Sequence, residues 1–177
     1  MDYIVSIDKL TFRYNDNFIF DKFSLNIGYG SFLTITGKNG CGKSTLIKII
    51  TGLILTDSDI KICGVKLNKN NLYSIRKNIG VMFDNVDNSF ITDTVEDELA
   101  FILENLCYKS PYIKRRIKEV SAMLNIEHLL NKSLDELSGG EKCIVALGCA
   151  IIHNPKLLII DESLSMIYKW FNYFCYY

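Results

Sequence analysis

Residues 37–45 read GKNGCGKST, and the spacing of Gly37, four residues, Gly42, Lys43 and Ser44 is that of a loop built to hold phosphate. The apolar run FLTIT at 32–36 leads into it as a strand. From Ser44 the period becomes helical, with Leu46, Ile49 and Ile50 on one face and Gly52 placed to end the helix. Strand, glycine loop and helix together give the motif its mechanism. Backbone N–H groups, the positive end of the helix and the Lys43 ammonium converge on the β- and γ-phosphates of a nucleotide, while the Ser44 hydroxyl is offered to Mg2+. The candidate nucleotide-binding residues here are Gly37, Lys38, Asn39, Gly40, Cys41, Gly42, Lys43, Ser44 and Thr45, with Lys43 also a candidate catalytic group.

Upstream, Ile4, Val5, Ile7, Leu10 and Phe12 alternate with polar residues, and FSLNIGYGSFLTITG at 23–37 reads as two strands separated by a Gly28/Gly30 turn. Downstream, DIKICGVKLN (59–68) and NIGVMF (78–83) read as further strands, and a second lobe begins near Asp84. Thr94 is placed to cap a helix whose first turn holds Glu96, Asp97 and Glu98 and whose buried stripe is Leu99, Ile102, Leu103 and Leu106. Ser110 and Pro111 open the next helix, with Ile113, Ile117, Val120 and Leu124 at helical spacing. A third follows Ser138 and is broken by Asn154-Pro155, after which KLLII returns to buried strand. The pattern predicts an α/β core with an inserted helical subdomain.

LLIIDE at 157–162 closes an apolar run on two carboxylates. Asp161 is placed to hold Mg2+ through water and Glu162 to polarise an attacking water, which makes Glu162 the candidate catalytic base. An acidic helix cap after a buried strand gives the same pattern, so the assignment leans on the phosphate loop upstream. In LSGGEK at 137–142, Ser138 is placed to cap the helix that follows and Glu141 to complete a capping box. Gly139 and Gly140 leave N–H groups exposed at the helix start, as a second phosphate site. A capped helix and nothing more is the plainer reading of that stretch taken alone.

In that order, the three motifs make the chain resemble an ATP-binding-cassette ATPase from Met1 to about Met166. The resemblance implies an α/β fold, a P-loop NTPase core with an N-terminal antiparallel β-subdomain and an inserted helical subdomain, and two such units that sandwich two ATP molecules. It sets expected boundaries at 1–84 for the β-subdomain and first part of the core, 85–153 for the helical subdomain with the signature motif, 154–166 for the return to the core, and 167–177 for an aromatic tail outside the family pattern. It also implies ATP and Mg2+ as cofactors, Ser44 and Asp161 at the metal, and Ser138, Gly139 and Gly140 on the γ-phosphate held by a partner's loop. Tyr14, in LTFRYNDN, matches the aromatic residue that stacks on adenine.

A narrower resemblance lies in IGVMFDNVDNSFITDTVEDELAFILENL at 79–106, which is similar to the middle segment of energy-coupling-factor ATPases, the subunits that power uptake of vitamins and of cobalt or nickel ions. Phe83, Asn85, Asp87, Asn88, Phe90, TVEDE and AF carry it. Asp84 stands where the family has a glutamine that senses Mg2+ and the γ-phosphate, and Val86 where it has proline. Asp84 is thus a further metal candidate, one methylene shorter than glutamine and unable to donate a hydrogen bond when ionised.

Of the 177 residues, 49% are hydrophobic and 23% charged, a globular composition, and 20 acids balance 20 bases. A net charge of zero argues against a bulk nucleic-acid partner, and IKRRIKEV at 113–120 alternates with apolar positions as a solvated helix face does. Six cysteines without a CxxC pair or metal-ligand spacing argue against a zinc centre and suit a reduced, cytoplasmic setting. No apolar run approaches the ~20 residues of a membrane span. His128 and His153 are isolated and read as surface or helix-end residues.

Beyond Met166 the family pattern stops: Tyr168 stands where an aspartate is expected, no switch histidine follows, and YKWFNYFCYY matches nothing in the family. The expectation is a chain truncated within the C-terminal part of the core, by frameshift or early stop; a short amphipathic tail of the protein's own is the alternative. Three functional readings stand. One is the ATP-hydrolysing subunit of an energy-coupling-factor importer, peripheral on the inner face of the membrane through integral membrane transporter subunits and paired with a second ATPase subunit, its own copy or a sister. The second is a nucleotide-binding module without turnover. The third is a DNA-repair or chromosome-structure ATPase, which the short span from Thr45 to Leu137, without sustained heptads, disfavours.

Overall fold

The alternating apolar residues that open the chain fold as β1 (Tyr3–Tyr14), which buries Ile4, Val5, Ile7 and Leu10 and pairs antiparallel with β2 (Asn17–Gly28). The structure is a computed structural model and describes residues 2–83, 86 and 89–161. The chain divides into two compact units, Met1–Ile79 and Gly80–Tyr177.

In the first unit β1 lies between β2 and β3 (Asp59–Ile62), and β4 (Val65–Lys66) completes an antiparallel sheet in the order β2-β1-β3-β4. The β1–β2 register shifts near Lys9 and Lys22, and side-chain hydroxyls take up the N–H groups freed there. Lys9 N–H donates to Ser24 Oγ at 2.9 Å and Lys22 N–H to Thr11 Oγ1 at 3.2 Å. Helix α1 (Lys43–Ile50) buries Leu46, Ile49 and Ile50, as its spacing predicts. The short α2 (Leu72–Arg76), which the sequence reading passed over, ends on a residue that closes α1. Arg76 Nε donates to the Thr51 carbonyl at 3.3 Å and Nη2 to the Gly52 carbonyl at 3.1 Å, placing a cation on carbonyls just past the negative end of the phosphate-loop helix.

The run FLTIT does not form the strand that its composition predicts. Residues 31–38 belong to no regular element, and Phe32, Leu33 and Ile35 are exposed. An apolar run becomes a strand only where neighbours supply a ladder along its edges, and the sheet of this unit is composed of β1 to β4 without it.

In the second unit β5 (Ile79–Met82) and β6 (Leu157–Ile160) are hydrogen-bonded neighbours. The expected buried strand is thus present as β6 but only half-buried, with Leu158 41% exposed, because a two-stranded pair leaves an edge of β6 uncovered among the described residues. Three helices make the core. α3 (Val95–Asn105) is capped by Thr94, whose Oγ1 accepts Asp97 N–H at 3.2 Å. α4 (Ser110–Leu124), opened by Pro111, buries Ile113, Ile117, Val120 and Leu124. α5 (Gly139–Ile151) packs where Gly148 allows close approach: a Cβ there would lie 3.3 Å from both Leu99 Cδ2 and Leu124 Cδ1.

The capping box at the start of α5 is formed as the sequence predicts. Ser138 Oγ accepts Glu141 N–H at 3.4 Å and donates to Glu141 Oε2 at 2.7 Å, and the same carboxylate oxygen accepts Ser138 N–H at 2.8 Å. Lys132 Nζ sits 3.6 Å from the other carboxylate oxygen. The two bonds from Ser138, and then the Lys132 charge, hold the Glu141 carboxyl below its ordinary value of 4.5. A lowered pKa means that the cap's contribution is complete above that ordinary value and is lost as pH falls through it toward the lowered one.

Two outcomes follow for stability. Gly80→Ala drives a methyl into the Ala150 carbonyl and Pro155, and chemical denaturation should show a loss of roughly 1–3 kcal/mol; an unchanged midpoint would contradict this packing. Glu141→Gln should melt below the wild type at about pH 7, and the gap should narrow as pH falls below the carboxyl's ordinary value of 4.5; a gap independent of pH would rule out the ionised cap.

Candidate nucleotide site

The phosphate loop is shaped by two left-handed glycines, Gly40 and Gly42, at φ of 79° and 101°, a conformation that L side chains rarely adopt. Alternation of this kind curls successive N–H groups toward one concave side. Cys41 N–H closes the turn onto the Lys38 carbonyl at 3.2 Å, and Leu46 N–H donates to the Gly42 carbonyl at 2.8 Å to begin α1. Gly42 is the N-cap and has no side chain with which to cap the first turn of α1, so no side chain stands between that helix start and an outside acceptor. Lys43 Nζ donates to the carbonyls of Gly37 at 3.0 Å and Lys38 at 3.4 Å. The ammonium therefore already lies over the loop, and an arriving phosphate oxygen exchanges with carbonyls it is holding. Ser44 is exposed and Thr45 half-buried, and the first turn carries no acid to repel an anion. Uncapped donors, a folded-back lysine and no acid fit the phosphates of a nucleotide.

Tyr14 belongs to the same unit. It is 46% exposed at the end of β1 and meets Phe12 edge-on, with ring centroids 5.0 Å apart and planes at 87°. Phe12 faces Phe20 across β1 and β2, and Phe20 Cζ is 3.1 Å from where a Gly42 Cβ would be. A row of aromatic residues thus leads from the start of the phosphate-loop helix to Tyr14, whose exposed face is available to a base.

The remaining candidates lie in the second unit. Ser138, Gly139 and Gly140 are exposed, and the Cβ positions of both glycines point into open space. The Ser138 hydroxyl proton is held by Glu141, so a phosphate arriving at this helix start competes with a carboxylate for it. Asp161 is half-buried, and its N–H donates to the Met82 carbonyl at 2.9 Å, which carries the β5–β6 pairing one residue beyond Ile160 and fixes the acid's backbone. Glu162, Asp84 and the whole of the tail lie outside the described residues.

Among the described residues no cluster of His, Cys, Asp and Glu is placed to hold a metal by itself, and no helix is long and apolar enough to cross a membrane. None of the described cysteines forms a disulfide; Cys143 and Cys149 are buried and Cys41 and Cys107 exposed. His128 is exposed, and His153 stands at a helix end, just past α5, where it is buried at 8% exposure. The residue that sequence reading overlooked is Glu98. Its place in the first turn of α3 suits the helix dipole, yet it is 4% exposed. Its position three residues after buried Val95 and beside Leu99 puts it on the apolar stripe, and that is the signal that marks it.

A model of the family described as ABC transporter matches residues 20–165. The energy-coupling factor transporter ATP-binding protein EcfA1 of Mycoplasma genitalium is 38% identical over 163 residues, 92% of this chain and 60% of that protein. EcfA1 of Bacillus subtilis is 36% identical over 168 residues, 93% of this chain and 60% of that one. The chain thus spans about three fifths of the length of these curated relatives. The solved structure of CbiO1 from Clostridium perfringens, described as part of the ABC transporter complex CbiONQ, matches with a TM-score of 0.86 and 26% identity over 97% of this chain and 72% of that one. The α/β fold is that of a P-loop ATPase with an antiparallel N-terminal sheet, and the chain belongs to the ABC transporter family.

Proposed function

We propose that this chain is the nucleotide-binding subunit of an energy-coupling-factor importer and that it binds MgATP on the loop Gly37–Thr45. The observation that carries the reading is the uncapped start of α1 under a lysine already folded over the loop. Similarity to EcfA1 proteins and to CbiO1 supports the transport role. In this reading the N–H groups of the loop and of α1 bind the phosphates, Lys43 bridges to them, and Tyr14 receives the adenine. Ser44 would offer its hydroxyl to Mg2+ and Asp161 would hold the ion through water; the ion would supply positive charge to the phosphates.

Ser138, Gly139 and Gly140 engage the γ-phosphate of a nucleotide held by a second ATPase subunit, either a copy of this chain or a sister chain. Ser138 releases Glu141 to do so. Glu162 is the base that orients the attacking water, and Asp84 is a further group toward the metal. The stretch 1–84 carries the base and phosphate contacts, 85–153 the contact in trans, and 154–166 the acids. Membrane partners keep the subunit at the inner face of the membrane, and they select the transported substrate.

Titration calorimetry with MgATP tests the reading. Wild type should bind, and Lys43→Ala should bind roughly 10- to 100-fold more weakly, as loss of charge-assisted hydrogen bonds of about 1.5–3 kcal/mol implies. Equal affinity for both proteins, with unchanged melting, would contradict it.

A further inference from the structure

The carboxylate of Glu98 is buried in the helical unit and belongs to none of the roles above. One of its oxygens, Oε2, accepts Ile91 N–H at 3.0 Å, Thr92 N–H at 2.9 Å and the Thr92 hydroxyl at 2.9 Å. A buried carboxylate is tolerable only with such donors, so α3 and the loop before it are tied at one point. In that loop Ile91 is 70% exposed and Asp93 is exposed, while Thr92 and Thr94 are half-buried.

From the loop the contacts continue along the backbone. Thr94 and Ser133 form an antiparallel bridge. Leu134 N–H donates to the Asp93 carbonyl at 3.0 Å, Val95 N–H to the Lys132 carbonyl at 3.2 Å and Glu96 N–H to the Leu130 carbonyl at 3.0 Å. Segment 130–134 then reaches the start of α5 in two ways, by chain connection through buried Leu137 and by Lys132 at 3.6 Å from Glu141, which holds Ser138. Glu98 also lies near α5 itself, since burial first and the Glu98 charge second push the Cys149 thiol up.

We infer that Glu98 is a positioning residue, whose buried carboxylate fixes the loop 91–94 and, through the backbone bridge to 130–134, sets where Ser138 and its two glycines stand. The functional meaning rests on the reading that Ser138 meets a phosphate in trans; the mechanical link does not. Glu98→Ala removes the acceptor for three donors. Glu98→Gln keeps a carbonyl with two lone pairs and most of the shape, and so restores part of the anchor.

Amide hydrogen exchange on the purified chain reads the link directly. In Glu98→Ala, exchange should quicken by roughly tenfold or more at 91–94, at 130–134 and at 138–141, while 37–50 and 113–120 keep wild-type rates, and Glu98→Gln should recover part of the protection. Quickening confined to 91–98 would overturn the inference, as would uniform quickening with no recovery in Glu98→Gln. If Glu98→Ala does not fold, Glu98→Gln alone decides, by a smaller rise at the same three segments or by none. MgATP titration of the same variants separates the two claims. Unchanged affinity in Glu98→Ala is expected, and absence of binding in wild type would remove the phosphate reading while leaving the exchange result to judge the link.

Discussion

Gly42 takes φ of 101° at the start of α1, and a Cβ on it would stand 2.7 Å from Ile19 Cγ2 and 3.1 Å from Phe20 Cζ. Only a residue without a side chain meets both conditions at once. The left-handed turn brings the preceding loop round, and the close approach sets the helix against β2. The absence of a side chain leaves the first turn uncapped. The placement of the phosphate loop and the uncapped start of α1 depend on that close approach to β2. At the other end of the helix Arg76 binds the carbonyls of Thr51 and Gly52, so α1 is held at both ends and its N-terminus is left to chemistry.

The start of α5 is built on the opposite principle. Its donors are partly taken by Ser138 and Glu141, and the acid is in turn neutralised by Lys132. A helix start held in part by its own side chains yields to a phosphate only by exchange with them, whereas no side chain caps the start of α1. One end therefore suits tight binding of a ligand and the other a reversible engagement. That difference is visible in hydrogen-bond partners and owes nothing to net charge, which is zero for the chain.

Much of this was legible in the residues. The helices that begin near Ser44, Thr94, Ser110 and Ser138 are marked by the caps Thr94 and Ser138, by Pro111 and by a 3.6-residue apolar period, all of them local signals. FLTIT has the composition of a strand without forming one, because a strand is a property of pairing and an apolar run says nothing about where its neighbours are. Burial of β6 was overestimated for the same reason. The anchor at Glu98 was hidden because a carboxylate in a helix's first turn has an ordinary explanation in the dipole, and only its partners at Ile91 and Thr92 show that it points inward.

The central claim is that the backbone of the phosphate loop, with its two left-handed glycines, binds the polyphosphate of a nucleotide. Nuclear magnetic resonance of the 15N-labelled chain with MgATP, and separately with AMP, tests it most directly. The account predicts large downfield shifts for the amides of Gly40, Gly42, Lys43 and Ser44 with MgATP and little change there with AMP, which lacks the outer phosphates. Shifts of similar size with both nucleotides, or shifts centred away from residues 37–45, would contradict it.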